Sequence, residues 1–204
     1  TGSIISQGRV LTNAHVVLDE EGKPFSHIRV YLLHDNANDD AIRKLKHGKN
    51  GQIRQMDINL DLALVEVKGL ENVEPIPLGD SSNIAIGDPV LAIGHPENGG
   101  LWSLTSGRIG AKIRNQGGIR GRHVFQTEAS LNRGNSGGPL LNYWGQLIGV
   151  NTSIARKASD GLAITGINFS IQSNVARKWL EDGGLRVATA TDQRKNSDVD
   201  ARLI

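Results

Sequence analysis

Apolar residues along this chain fall in short runs separated by glycine, proline and polar turn residues, which is the rhythm of strands rather than helices. Runs of strand length lie at 3–5, 9–12, 28–33, 51–56, 62–67, 89–94, 101–113, 124–127, 139–141, 147–153 and 166–171. One segment changes period. From Ser173 or Asn174 to about Asp182, the residues Val175, Ala176, Trp179 and Leu180 fall on one helical face, and Gly183 and Gly184 follow as a stop. Ser173 or Asn174 is of a type that caps a helix N-terminus. The pattern predicts an all-β protein with one C-terminal helix, in which the strands before and after about Gly94 make two similar halves.

Two polar stretches interrupt the strands. Residues 35–50 (DNANDDAIRKLKHGKN) are crowded with charge and read as a solvated loop, and 114–122 (RNQGGIRGR) reads as a second one. The second has no P-loop spacing and no interleaved aromatics, so it does not point to phosphate or nucleic acid. From residue 188 onward (ATATDQRKNSDVDARLI) there is little to bury, as in a mobile tail or linker.

Composition narrows the functional classes. At 204 residues the chain is long enough to bury a substantial core. It has no cysteine, which excludes disulfides, thiol catalysis and cysteine-ligated zinc. Lys and Arg total 23 against 21 Asp and Glu, too even a balance for a polyanion binder. No apolar run reaches the length of a membrane span. The chain opens at Thr1 without a methionine and runs at once into strand pattern, as a processed product would.

The stretch Asn132 to Leu140 (NRGNSGGPL) sets one serine among three glycines and a proline. It matches G-x-S-x-G formally, but that nucleophile elbow requires a helix straight after the serine, and here Gly137, Gly138 and Pro139 lead into strand pattern. Histidine order is a second test, because acyl-transfer triads occur in different chain orders on different folds. His15, His27, His34, His47, His95 and His123 all precede Ser136, so an order of serine, acid, histidine is excluded. Histidine, acid, serine is the simplest order that fits, although the later histidines leave acid, histidine, serine formally open. His15 ends a buried apolar strand beside small residues; taken alone, such a histidine is more often structural. Asp61 stands at the mouth of the run 62–67, where a rigid, partly desolvated carboxylate suits an imidazole Nδ1, and its bland reading is a turn cap. Asp57 is the nearest rival acid. His15, His95 and His123 show no metal-ligand spacing, so no metal site is expected.

Taken together, TNAHVV at 12–17, DLALVEV at 61–67 and GNSGGPL at 134–140 resemble the three signature blocks of chymotrypsin-like serine proteases, closest to the HtrA (Deg) branch. The resemblance extends through 93–110, 125–142, 145–152 and 166–180, roughly residues 2–185. It implies two packed six-stranded antiparallel β-barrels, the first about 1–95 and the second about 96–172, a C-terminal helix about 174–182, and a tail at 188–204. It implies a serine endopeptidase with His15, Asp61 and Ser136 as the triad, and an oxyanion hole formed by the amides of Gly134 and Ser136. By the same resemblance Ser130 lies near the floor of the specificity pocket with Leu131 beside it, and Asn168, Phe169 and Ser170 pair with the substrate backbone. With no carboxylate on that floor, small or medium apolar residues are expected before the cut. The implied partner is a protein or peptide substrate, with room for a homo-oligomer, no cofactor, and a periplasmic or cell-envelope setting. The competing reading is a protease fold kept as a peptide-binding scaffold, inactive at rest. Asn135 carries no charge with which to pair a freed N-terminal amine, so zymogen activation by that route is not expected. The PDZ domain usual in that branch is not among these residues.

Overall fold

The computed structural model describes residues 1–32, 48–70, 72–96, 102–152 and 168–190. The first half contributes β1 (Ser3–Ser6), β2 (Arg9–Thr12), β3 (Ile28–Val30), β4 (Lys49–Asp57) and β5 (Leu62–Val67). The second contributes β6 (Pro89–Gly94), β7 (Ser103–Ile113), β8 (Val124–Thr127), β9 (Pro139–Leu141), β10 (Leu147–Thr152) and β11 (Asn168–Gln172), followed directly by α1 (Ser173–Asp182). Every strand run read from the sequence is found. β3 stops three residues early, and β4 begins within the polar stretch, of which 35–47 lie outside the described residues.

The first half pairs in the order β1-β2-β5-β4-β3, and the second closes into a six-stranded barrel in the order β10-β11-β8-β7-β6-β9. The closure expected of both halves is thus met in the second, while the described residues of the first form five strands. Side-chain alternation follows from which faces are covered. β7 alternates between exposed positions and half-buried or, at Ile109, buried ones, whereas all six residues of β10 are buried because both its faces are covered.

Three apolar clusters result. One lies within the first sheet around Val10, Val17 and Val65, and another fills the barrel around Ile109, Phe125 and Ile148. The third joins the halves: Ile5, Leu11 and Leu62 meet Leu141, Val150 and Ile171, and α1 adds Ala176, Trp179 and Leu180. That face of α1 is the one the spacing predicts, and Gly184 ends the helix in a left-handed turn.

The helix cap differs from expectation. Gln172, in extended conformation, precedes the helix and makes no side-chain cap bond. The helix follows a strand without a loop, so a local cap has no room, and its first turn is satisfied from residues 79–81. Ser173 Oγ donates to Gly79 O at 2.7 Å, and Asn174 N–H donates to Ser81 Oγ at 3.1 Å. Asn174 Nδ2 also donates to Asp80 Oδ1 at 2.7 Å. The Ser82 hydroxyl, then Asn174 and the Ser82 amide, hold the Asp80 carboxyl down to about 2.

The loop 114–122 closes on itself, with Gly121 N–H donating to Asn115 Oδ1 at 2.8 Å. The expected tail begins bonded rather than loose: Leu78 N–H donates to Ala188 O and Ala190 N–H to Leu78 O, at 3.2 and 2.9 Å. Residues 191–204 lie outside the described residues. Among the described residues, no helix is long and apolar enough to cross a membrane.

Candidate active site

His15 lies in a single 3-10 turn, Ala14–Val17, immediately beyond β2, and Asp61 immediately precedes β5. These strands are neighbours, with Thr12 opposite Ala63, so the pairing register delivers both residues to the same end of the sheet. Asp61 adopts a left-handed backbone conformation, φ 58°, which aspartate tolerates better than most residues. Asn13 is fully buried beneath it and donates from Nδ2 to Asp61 O at 2.9 Å.

Asp61 is buried, 7% exposed as a residue, and its carboxylate meets three donors. His15 Nδ1 lies 2.9 Å from Oδ1 and 3.0 Å from Oδ2, and His15 N–H donates to Oδ1 at 3.1 Å. Thr152 Oγ1, from the end of β10 in the other half, donates to Oδ2 at 2.9 Å. With Nδ1–H given to the carboxylate, the neutral ring keeps its lone pair on Nε2. The His15 side chain is 47% exposed, so that nitrogen remains within reach of another group.

Ser136 is buried and sits in the loop between β8 and β9. Gly134 and Gly137 both have left-handed φ, 100° and 81°. Two further main-chain bonds tighten the turn, Asn135 N–H to Asn132 O and Gly138 N–H to Asn135 O, each at 3.0 Å. Gly137 N–H donates to Asn151 O and Asn151 N–H to Gly138 O, both at 2.8 Å. A Cβ at Gly137 would collide with Thr12 Oγ1 and Thr1 O, so the loop reaches across to the end of β2, three residues before His15. Adjacent residues of β10 therefore hold the two parts of the site: Asn151 binds the serine loop and Thr152 binds the acid. Gly134 N–H donates to no acceptor among the described residues, while Gly134 O accepts from Thr1 Oγ1 at 2.5 Å and from His95 N–H at 3.4 Å.

The remaining predicted residues divide. Ser130 is exposed and its carbonyl accepts from Thr105 Oγ1 at 3.0 Å, whereas Leu131 is turned into the barrel cluster. The expected backbone pairing by Asn168, Phe169 and Ser170 needs correction. At Phe169 and Ser170, β11 is paired with β10 on one edge and β8 on the other, so the main chain of these two residues has no edge left for a substrate strand, and Asn168 is paired with Thr127 of β8. The Phe169 side chain is buried between the halves, and Ser170 Oγ donates to Asn151 Oδ1 at 2.7 Å, behind the serine loop. The rival acid Asp57 caps a turn by accepting from Leu60 N–H at 2.8 Å. His123 Nδ1 accepts from Asn115 N–H at 3.3 Å. Reading the sequence missed Asn13, Asn151 and Thr152. The one signal for Asn151 and Thr152 was the polar pair closing an otherwise apolar strand in GVNT.

Comparisons with known proteins agree with this geometry. The trypsin-like peptidase domain matches residues 1–150. Over 194 residues the chain is 39% identical to the putative serine protease HhoA of Synechocystis sp., covering 90% of this chain and 43% of that protein. It is 36% identical over 173 residues to the periplasmic pH-dependent serine endoprotease DegQ of Escherichia coli, covering 84% of this chain and 34% of that one. Among solved structures, the HtrA-type protease AlgW with decapeptide superposes with a TM-score of 0.69 at 33% identity, over 88% of this chain and 50% of that one. The chain thus spans between about a third and a half of these relatives. With a histidine and an acid brought together at the ends of neighbouring strands and a serine loop reaching the end of β2 from the barrel, the chain belongs to the trypsin-like peptidase family.

Proposed function

We propose that this chain carries the catalytic machinery of a serine endopeptidase acting on extended or unfolded protein segments. The observation that carries this reading is the contact of both Asp61 carboxylate oxygens with His15 Nδ1, which leaves Nε2 as the base. A serine hydroxyl is a weak nucleophile, so Ser136 Oγ attacks the scissile carbonyl as His15 Nε2 takes its proton. His15 then returns that proton to the leaving amine, while Asp61 stabilises the imidazolium without accepting the proton. Water attacks the resulting acyl-enzyme by the same base and releases the new carboxyl end.

Charge develops on the former carbonyl oxygen in each step. The amides of Gly134 and Ser136 are the donors assigned to it, and the absence of an acceptor for Gly134 N–H among the described residues supports that assignment. No carboxylate stands at Ser130 or Leu131, which favours small or medium apolar side chains before the cut. A periplasmic or cell-envelope setting belongs to the same reading, since DegQ is named for the periplasm.

Casein digestion and fluorophosphonate labelling test it. The wild-type protein is expected to cut casein and to be labelled at Ser136, and Ser136→Ala to lose both. Casein cleavage retained by purified Ser136→Ala would overturn the reading, and a wild-type serine that is unreactive while the protein still binds unfolded peptides would favour the scaffold.

A further inference from the structure

At the end of β6, two residues lie against the serine loop. A Cβ at Gly94 would collide with Asn135, and the next residue, His95, donates its N–H to Gly134 O at 3.4 Å. Gly134 O also accepts from Thr1 Oγ1 at 2.5 Å, and that hydroxyl lies 3.0 Å from His95 Nδ1. A threonine hydroxyl has one proton. Given to Gly134 O, it leaves the oxygen only able to accept, so His95 Nδ1 must carry a proton of its own. The result is a directed relay from His95 Nδ1–H to Thr1 Oγ1–H to the Gly134 carbonyl.

Both members of the relay are themselves anchored. The His95 ring meets Trp102 edge to face, with centroids 4.7 Å apart and planes at 74°. Thr1 O accepts from Thr12 Oγ1 at 2.7 Å, which ties it to β2 below His15. Burial pushes the His95 imidazole below its ordinary value, which favours a neutral ring, and the contact with Thr1 Oγ1 assigns its single proton to Nδ1.

We infer that His95 is a positioning residue for the oxyanion loop, acting through the Thr1 hydroxyl on the peptide between Gly134 and Asn135. That peptide lies between the Gly134 N–H and the Ser136 N–H, so its plane sets the relative direction of the two donors. The inference rests on the serine endopeptidase reading for its catalytic consequence, but the relay can be tested without it.

His95→Phe keeps an aromatic ring against Trp102 and removes Nδ1–H, whereas His95→Asn places an amide N–H near the Nδ1 position. Fluorophosphonate labelling of Ser136 is expected to slow by about tenfold in His95→Phe and to stay within about twofold of wild type in His95→Asn. Because both groups act in one relay, Thr1→Val combined with His95→Phe should label no more slowly than the slower single variant. Labelling of His95→Phe at the wild-type rate, an Asn variant as slow as the Phe variant, or additive losses in the double variant would each overturn the relay. If wild-type Ser136 is not labelled at all, the peptidase reading falls, and hydrogen exchange at the Asn135 amide decides the relay instead. Faster exchange in His95→Phe than in His95→Asn sustains it, and equal rates overturn it.

Discussion

Around Asp61, a backbone amide, an imidazole and a hydroxyl from the other half of the molecule converge on one carboxylate. Around Ser136, most of the bonds that shape the loop run between main-chain atoms of residues 132–138 and Asn151, and the Thr1 hydroxyl and the His95 amide add theirs at the Gly134 carbonyl. The acid side depends on the chemistry of side chains, and the serine side mainly on backbone conformations open to glycine, with the Thr1 and His95 side chains as its one side-chain support. The two sides should therefore fail differently: changing a functional group should impair the first without unfolding it, and adding a single carbon should disrupt the second.

Asp61→Asn gives the largest expected effect. The amide is nearly isosteric but favours the wrong imidazole tautomer, and kcat should fall by about 10⁴-fold with the melting temperature little changed. A melting temperature that collapses instead would mean that the carboxylate serves the fold first. Gly137→Ala tests the other side. Its φ of 81° and the collision of a Cβ with Thr12 and Thr1 should displace the serine loop and cost about 100-fold to 1000-fold in activity, the loss typical of a missing oxyanion donor. Circular dichroism should meanwhile report an intact β fold.

Thr152→Val removes one of three donors to Asp61 and should lower kcat by about tenfold with KM nearly constant, because a hydrogen bond to a buried charge contributes about 1.5 to 3 kcal/mol. A rise in KM alone would move Thr152 from the acid to substrate binding. The smallest effect is expected at Asp80, which serves neither side. Its carboxyl is held down to about 2 from 3.8, so its ionised form stabilises the fold at neutral pH, and this contribution disappears as pH falls from about 4 to about 2. Screened by solvent, it amounts to about 1 kcal/mol or less, so Asp80→Asn should melt about 2 to 4 °C lower at pH 7 and converge with wild type near pH 2.

The sequence was most legible where a local pattern determines structure. The strand runs, the buried face of α1 and the glycine stop at Gly184 follow from periodicity and backbone freedom, and His15 and Asp61 could be placed because each sits at the end of a readable strand. What stayed hidden depends on residues far apart in the chain. The cap of α1 comes from Ser81 rather than from the helix itself, and Thr152 gains its role only because β10 ends beside Asp61. The same limit explains the correction at Phe169 and Ser170: a strand's composition does not say whether both its edges are taken, and there β11 is enclosed by β10 and β8.

Thr152 follows Asp61 by 91 residues. During synthesis, when N-terminal segments emerge and fold first, the early half can bring His15 and Asp61 together but must leave the carboxylate without its third donor. The loop bearing Ser136 is likewise incomplete until Asn151 arrives to hold Gly137 and Gly138. One short piece of β10 therefore completes both, and neither part of the site has its full set of bonds until Asn151 and Thr152 are in place.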